Sequence, residues 1–77
     1  MPGDRSTTVS EMQVVLNGEA RTIAADLTVS DLLAELKLQP KHLAVELNEQ
    51  VLPRDRFGSV RLQPGDRVEI VTLVGGG

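Results

Sequence analysis

Only one stretch of the chain has the periodicity of an amphipathic helix, so the fold is limited to a sheet covered by a single helix. Thr28 precedes this stretch as a predicted N-cap, and Asp31 follows three residues later, as in a capping box. Pro40 marks the predicted stop. We expect the helix to face the core, because no other helix is available to cover the sheet. Its apolar stripe consists of Val29, Leu32, Leu33 and Leu36.

Two predicted strands precede the helix and form a hairpin. Residues 12–16 and 19–24 flank the dipeptide Asn17-Gly18, which favours the positive φ angles of a type I′ turn. This turn matches the twist of paired strands, so we expect the two segments to lie antiparallel and side by side.

Three more strands are predicted after the helix, at residues 43–47, 51–52 and 67–74. Pro53 ends the second of these or confines it to a sheet edge, because proline cannot donate to a strand ladder. Pro64-Gly65 indicates a type II turn before the last strand, with glycine accepting the positive φ. The last strand is apolar on both faces, which is typical of a central strand.

This order of elements predicts an α+β protein with a β-grasp fold, in which a mixed sheet of four to five strands surrounds one helix. A ferredoxin-like split βαβ fold is the alternative, but it needs a second helix, for which residues 53–63 are poorly suited. The predicted organisation has three parts: a disordered leader at residues 1–11, a β-grasp domain at residues 12–74 and a flexible glycine tail at residues 75–77.

Composition and charge exclude several classes of function. The net charge is −3 and Phe57 is the single aromatic residue, so the chain lacks the basic surface and stacking faces that nucleic-acid binding requires. The chain contains no cysteine, which excludes disulfides and thiol nucleophiles. Residues 1–11 lack the apolar core that a secretory signal needs, and no apolar run approaches the ~20 residues that cross a bilayer. We therefore expect a cytoplasmic protein that binds neither nucleic acid nor membranes.

No catalytic or metal-binding motif is recognisable in the chain. His42 is the only histidine and has no serine, cysteine or carboxylate at motif spacing. Two carboxylate pairs, Asp26 with Asp31 and Glu46 with Glu49, lack a calcium-loop pattern and are interpreted as caps and solvated faces. We expect no catalytic residue, no metal site and no bound cofactor.

The last strand predicts a docking surface. Alternation places Val71 and Leu73 on the face opposite Val68 and Ile70. Because one helix covers only one face of the sheet, Val71 and Leu73 should lie on the open face and form a docking patch, which continues to Val74.

Three glycines end the sequence directly after this strand: Gly75, Gly76 and Gly77. Glycine has no Cβ, so such a tail can extend through a channel too narrow for a side chain. Its terminal carboxylate is also unhindered. Both properties suit a carboxylate that is activated inside another protein, whereas the alternative interpretation is that terminal glycines simply fray.

With these features in place, the chain resembles the thiamine-biosynthesis sulfur-carrier family (ThiS), a branch of the ubiquitin-like group. The resemblance covers residues 12–77 and is carried by three stretches: MQVVLNG at residues 12–18, LAVELNEQVLPRDRF at residues 43–57 and LQPGDRVEIVTLVGGG at residues 62–77. The chain differs from the family pattern in its longer leader, in having Phe57 where a larger aromatic is common, and in its third glycine, Gly75.

The resemblance implies that the protein is a co-substrate and not an enzyme. A ThiF-like adenylyltransferase would use ATP to attach AMP to the carboxylate of Gly77, and a persulfide sulfur donor would then convert that carboxylate into a thiocarboxylate. Gly76 matches the glycine that fits the partner's channel. The sulfur would pass to a ThiG-like thiazole synthase, and the chain would be a monomer when free.

Two other classes stay open. One is a sulfur carrier for molybdopterin synthesis, although carriers of that group usually place prolines before the final glycines, where this chain has Thr72-Leu73-Val74. The other is a ubiquitin-like modifier joined to lysines, or an interaction module with an inert tail.

Overall fold

The computed structural model describes residues 10–73 of the 77-residue chain. In this range one mixed sheet of five strands packs against one helix, which is the predicted β-grasp arrangement. The elements are β1 (Glu11–Leu16), β2 (Glu19–Ala24), α1 (Val29–Glu35), β3 (Leu43–Leu47), β4 (Gln50–Leu52) and β5 (Arg67–Thr72).

The strands lie in the order β2-β1-β5-β3-β4, so β5 is central, as its apolar composition predicts. β1 and β2 form the predicted antiparallel hairpin, and β3 and β4 form a second one. β5 runs antiparallel to β3 and parallel to β1. The parallel pairing is short, since it joins only Val15 to Arg67 and Leu16 to Val68.

Helix α1 begins at the predicted cap. The Thr28 hydroxyl accepts from the Asp31 amide at 3.1 Å, and the Asp31 carboxylate accepts from the Thr28 amide at 3.0 Å. This reciprocal pair satisfies two amides that a helix start otherwise leaves without partners. The predicted stripe is confirmed, because Val29, Leu32 and Leu33 are completely buried in the core and Leu36 packs against its margin.

Helix α1 ends earlier than Pro40 predicts. Lys37 adopts a positive φ of 60°. The Lys37 amide donates to the Ala34 carbonyl, and the Leu38 amide donates to the Leu33 carbonyl. This is a Schellman motif, in which a left-handed residue closes the last turn. Lysine takes the position that usually holds glycine, so the sequence has no obvious stop signal there; Pro40 instead begins a short 3-10 helix, Pro40–His42.

Three strand boundaries differ from prediction. β4 begins at Gln50 and not at Val51, because Gln50 pairs with Leu47 at the end of β3. β1 begins at Glu11, the last residue of the predicted leader, because Glu11 pairs with Ala24 at the end of β2. β5 ends at Thr72 and not at Val74, since β3, its partner there, begins at Leu43 opposite Thr72. Residues 1–9 of the predicted leader and residues 74–77 lie outside the described range.

Both hairpins turn through two residues with positive φ. The angles are 49° and 86° at Asn17 and Gly18 in the first hairpin, and 53° and 70° at Asn48 and Glu49 in the second. The first turn has the predicted Asn-Gly sequence. In the second turn glutamate occupies a backbone region in which a Cβ is unfavourable, so the turn carries local strain.

Replacing Glu49 with glycine should therefore stabilise the protein by about 0.5–1 kcal/mol, through relief of this strain. The ion pair that is lost, between Glu49 and Arg67 at 3.4 Å, is well exposed and contributes little. Urea unfolding checks the change. The reciprocal control is Gly18→Ala, which places a Cβ at φ 86° and should destabilise by a similar amount. A less stable Glu49→Gly variant would contradict the strain argument.

The core lies between α1 and one face of the sheet. Val14, Val45 and Val68 point to it from the three central strands, and Phe57 and Leu62 close its end from the loop before β5. The other face of the sheet has no helix over it in the described range. This open face carries the alternate residues of each strand and presents them to solvent.

Candidate functional site

The site is built around β5, which both hairpin turns hold in place. The Asn48 amide donates to the Arg67 carbonyl at 2.7 Å, and its side-chain oxygen accepts from the Arg67 amide at 2.9 Å. The Asn17 amide donates to the Val68 carbonyl at 2.8 Å, and its side-chain oxygen accepts from the Ile70 amide at 2.8 Å. Each such bond contributes about 1 kcal/mol net, so the first half of β5 is firmly fixed.

The second half of β5 carries the predicted docking residues. Val71 is 54% exposed and Leu73 is 51% exposed, and alternation places both on the open face. The Leu73 amide donates to the His42 carbonyl at 2.8 Å, so the pairing with the β3 side continues one residue beyond the strand. The structure thus brings two of the three predicted docking residues together; the third, Val74, lies outside the described residues.

One apolar member of this face was not predicted from the sequence. Val51 on β4 is 72% exposed and lies opposite Glu46, on the same face as Val71. The signal was present, because alternation from Leu52, which packs on the core, places Val51 on the open side. A strand of only three residues gives too little pattern to assign a face.

The open face also has an unusual charge arrangement. Glu46 and Glu69 lie directly opposite each other across β3 and β5, next to the apolar pair Ala44 and Val71. Like charges in this position destabilise a sheet slightly. Among residues 10–73, the two ion pairs join Arg61 to Asp26 and Arg67 to Glu49, so neither Glu46 nor Glu69 is in an ion pair there.

The predicted tail, Gly75 to Gly77, lies outside the described residues. Its root does not: Leu73 is the last described residue and lies at the edge of the apolar surface.

Two shallow depressions lie elsewhere in the described range. One, of about 230 Å³, is near the start of β5 and is lined by Gly18, Glu49 and Arg67 among others. The other, of about 300 Å³, lies at the first hairpin and is lined by Asn17 and Arg21 among others. No three acidic or histidine side chains between residues 10 and 73 are grouped so as to hold a metal ion. None of the helices in that range is long and apolar enough to cross a membrane.

Comparison with known proteins identifies the family. The model of the ThiS family matches residues 14–77. The chain is 32% identical over 66 residues to the sulfur carrier protein ThiS of Escherichia coli (strain K12), covering 86% of this chain and 100% of that protein. It is also 41% identical over 66 residues to the thiazole synthase of Paramagnetospirillum magneticum, but it spans only 20% of that protein's length.

A solved structure agrees with these matches. The crystal structure of the thiamine biosynthesis protein ThiS from Geobacter metallireducens superposes with a TM-score of 0.75 at 39% identity. The match covers 86% of this chain and 100% of that one. The predicted fold and the predicted family are both confirmed, and the chain belongs to the ThiS family.

Proposed function

We propose that this chain is a sulfur carrier for the thiazole ring of thiamine, and that its working group is the carboxylate of Gly77. It acts as a protein co-substrate and not as an enzyme. In the first step a ThiF-like adenylyltransferase binds the chain and ATP. An oxygen of the Gly77 carboxylate attacks the α-phosphorus of ATP, which releases pyrophosphate and leaves an acyl adenylate on Gly77.

The adenylate makes the Gly77 carbonyl carbon reactive. The terminal sulfur of a donor persulfide attacks this carbon, a carbon–sulfur bond forms, and AMP leaves with the oxygen to which it was attached. A thiol then cleaves the sulfur–sulfur bond to the donor, so Gly77 carries a thiocarboxylate. A ThiG-like thiazole synthase takes the sulfur: the carbon–sulfur bond at Gly77 breaks, and an oxygen atom from the synthase's substrate or from water bonds to the same carbon, which restores the carboxylate.

The match to whole-length sulfur carriers is the observation that carries this proposal. The family model extends through Gly77, and the E. coli carrier is covered over its full length. The two thiazole synthases, of which 20% matches this chain, support a thiazole synthase as the partner that receives sulfur. The sequence Thr72-Leu73-Val74 before the glycines, without prolines, disfavours the molybdopterin alternative.

We propose that Val71, Leu73 and Val74 form the docking face for these partners, while Gly75 and Gly76 pass through their channels. Ordering a glycine tail costs on the order of 1–2 kcal/mol per residue, so binding at the root of the tail must offset it. The exposed side chains of Val71 and Leu73 supply apolar area for this, beside the carboxylates of Glu46 and Glu69. Free in the cytoplasm, the chain is a monomer without a bound cofactor, and ATP is used by the partner.

The test is a mass measurement on the purified full-length chain. After incubation with ATP, the ThiF-like adenylyltransferase of the same organism and a persulfide donor, the mass should rise by the difference between one sulfur and one oxygen atom. Tandem mass spectrometry should place the change on Gly77. The matched control omits ATP and should leave the mass unchanged. An unchanged mass in the complete reaction contradicts the carrier, and adducts on lysines of other proteins would identify a modifier.

A further inference from the structure

β5 extends beyond the strand that pairs with it on one side. β1 ends at Leu16, opposite Val68, whereas β5 continues to Thr72. The turn after β1 reaches one step further, through the bond from the Ile70 amide to the Asn17 side chain. Past Ile70, β5 has β3 on one side and no strand of the described range on the other.

The register shows which backbone groups face this open edge. The Leu73 amide and the Arg67 carbonyl bond to the β3 side, at His42 and Asn48. In an antiparallel ladder alternate residues point both of their backbone groups to the same neighbour. The backbone amides and carbonyls of Ile70 and Thr72 therefore point away from β3. The open edge thus presents three groups that have no partner among residues 10–73: the Ile70 carbonyl, the Thr72 amide and the Thr72 carbonyl.

The other two edges of the sheet are protected against unwanted pairing. β2 carries Glu19 and Arg21, and β4 has three residues and is followed by Pro53. Charges, short strands and proline are the usual protections of an edge. The open edge, residues 70–73, is also short, but it has neither a charge nor a proline: its sequence Ile-Val-Thr-Leu is rich in β-branched residues. Only this edge retains the composition of a strand that pairs.

We propose that the open edge of β5 is a strand-addition site for an extended segment of the adenylyltransferase that activates Gly77. This proposal rests on the proposed function. A carbonyl, an amide and a carbonyl spaced along one strand match the backbone of another extended chain, and few other ligands present that spacing. The added strand would lie beside Val71 and Leu73 and would continue the docking face around the root of the tail.

Two features favour a partner enzyme over a second copy of this chain. The open edge offers only three backbone groups, too few to hold two small domains together without further contacts. It also leads directly from Leu73 into the tail that the enzyme must receive, so pairing there would fix the direction in which the tail leaves the domain. The edge would thus align the tail as well as adding affinity.

Amide hydrogen exchange tests the strand addition. The nitrogen-15-labelled full-length chain is measured alone and bound to the ThiF-like adenylyltransferase, and the exchange is quenched before it is read by NMR. The Thr72 amide should exchange at an unprotected rate in the free chain and at least roughly tenfold more slowly in the complex. The Leu73 amide is the internal control, because its bond to the His42 carbonyl should protect it in both states.

A synthetic chain with an ester in place of the Val71–Thr72 amide provides the second measurement. The ester removes the Thr72 donor, which faces the open edge, and leaves the amides of Val71 and Leu73, which face β3. The fold, checked by circular dichroism, should be unchanged, and affinity for the adenylyltransferase should fall about three- to tenfold.

Each outcome separates the proposals. If Thr72 stays unprotected in a complex whose Val71 and Leu73 methyl resonances shift, the strand addition is wrong and the carrier function stands. Protection of Thr72 in the free chain that increases with protein concentration would instead assign the edge to a second copy. Absence of both binding and thiocarboxylate formation would overturn the carrier function and the strand addition together.

Discussion

Replacing Gly76 with valine should abolish activation of the chain without unfolding it. Under the proposed function Gly77 must reach the α-phosphorus of ATP inside another protein, and Gly76 must pass through the channel that leads there. A β-branched side chain at Gly76 would hold the carboxylate back or turn it aside. Misplacement of a reacting group by about 1 Å costs roughly a hundredfold in rate, so ATP–pyrophosphate exchange should fall at least that far.

The matched control places a side chain on a glycine of the folded domain. A Cβ at Gly58 would meet the Ser30 hydroxyl oxygen at 3.7 Å, which is an ordinary contact. The Gly58→Ala variant should therefore keep the parent chain's rate of ATP–pyrophosphate exchange and its thermal unfolding temperature. The rate of ATP–pyrophosphate exchange with the Gly76→Ala variant should fall between the rates of the parent chain and of the Gly76→Val variant. A variant with one alanine added after Gly77 should show no exchange. Normal exchange by the Gly76→Val variant would show that no narrow channel receives the tail.

The parts of the fold that sequence predicts well are those fixed by local chemistry. The capping box at Thr28 and Asp31 and the Asn17-Gly18 turn each use side chains with a strong local preference, and both occur where predicted. The central position of β5 follows from its apolar composition on both faces, because a strand of that kind must be covered by neighbours.

The parts that sequence misses are positions where tertiary structure overrides local preference. Lys37 and Glu49 both adopt positive φ, although neither residue type favours it. At Lys37 the Schellman bonds and the burial of Leu33 stabilise the helix end, and at Glu49 the pairing of β3 with β4 imposes the turn. Neither constraint can be read from neighbouring residues in the chain.

The candidate site was predictable in composition but not in geometry. Alternation along residues 67–73 places Val71 and Leu73 on the open face, and the structure agrees. Alternation cannot show how far β1 extends beside β5, because it assigns residues to the two faces of a strand and does not give the register between strands. The opposed carboxylates of Glu46 and Glu69 follow from the register of β3 with β5, and the open edge beyond Ile70 follows from the register of β1 with β5, so both emerge only from the structure.

Replacing Val71 and Leu73 together with aspartate should weaken binding to the ThiF-like adenylyltransferase by roughly thirty- to a hundredfold. Each side chain is about half exposed in the free chain, with 54% and 51% of its surface accessible, so docking can bury the remainder. Loss of this apolar burial at both positions costs on the order of 2–3 kcal/mol of binding free energy. The new carboxylates also lie near Glu69, which already faces Glu46. Calorimetric titration of the full-length chain measures the loss.

The matched control adds the same two charges to the same face of the sheet, far from the tail. Ala20 and Thr22 are exposed on the edge strand β2, opposite Val15 and Gln13. An Ala20→Asp, Thr22→Asp variant should bind as the parent chain does, because net charge alone acts weakly at physiological ionic strength. Equal losses in both variants would mean that charge, and not the apolar surface at the root of the tail, determines binding. Full affinity of the Val71→Asp, Leu73→Asp variant would place the docking surface elsewhere on the domain.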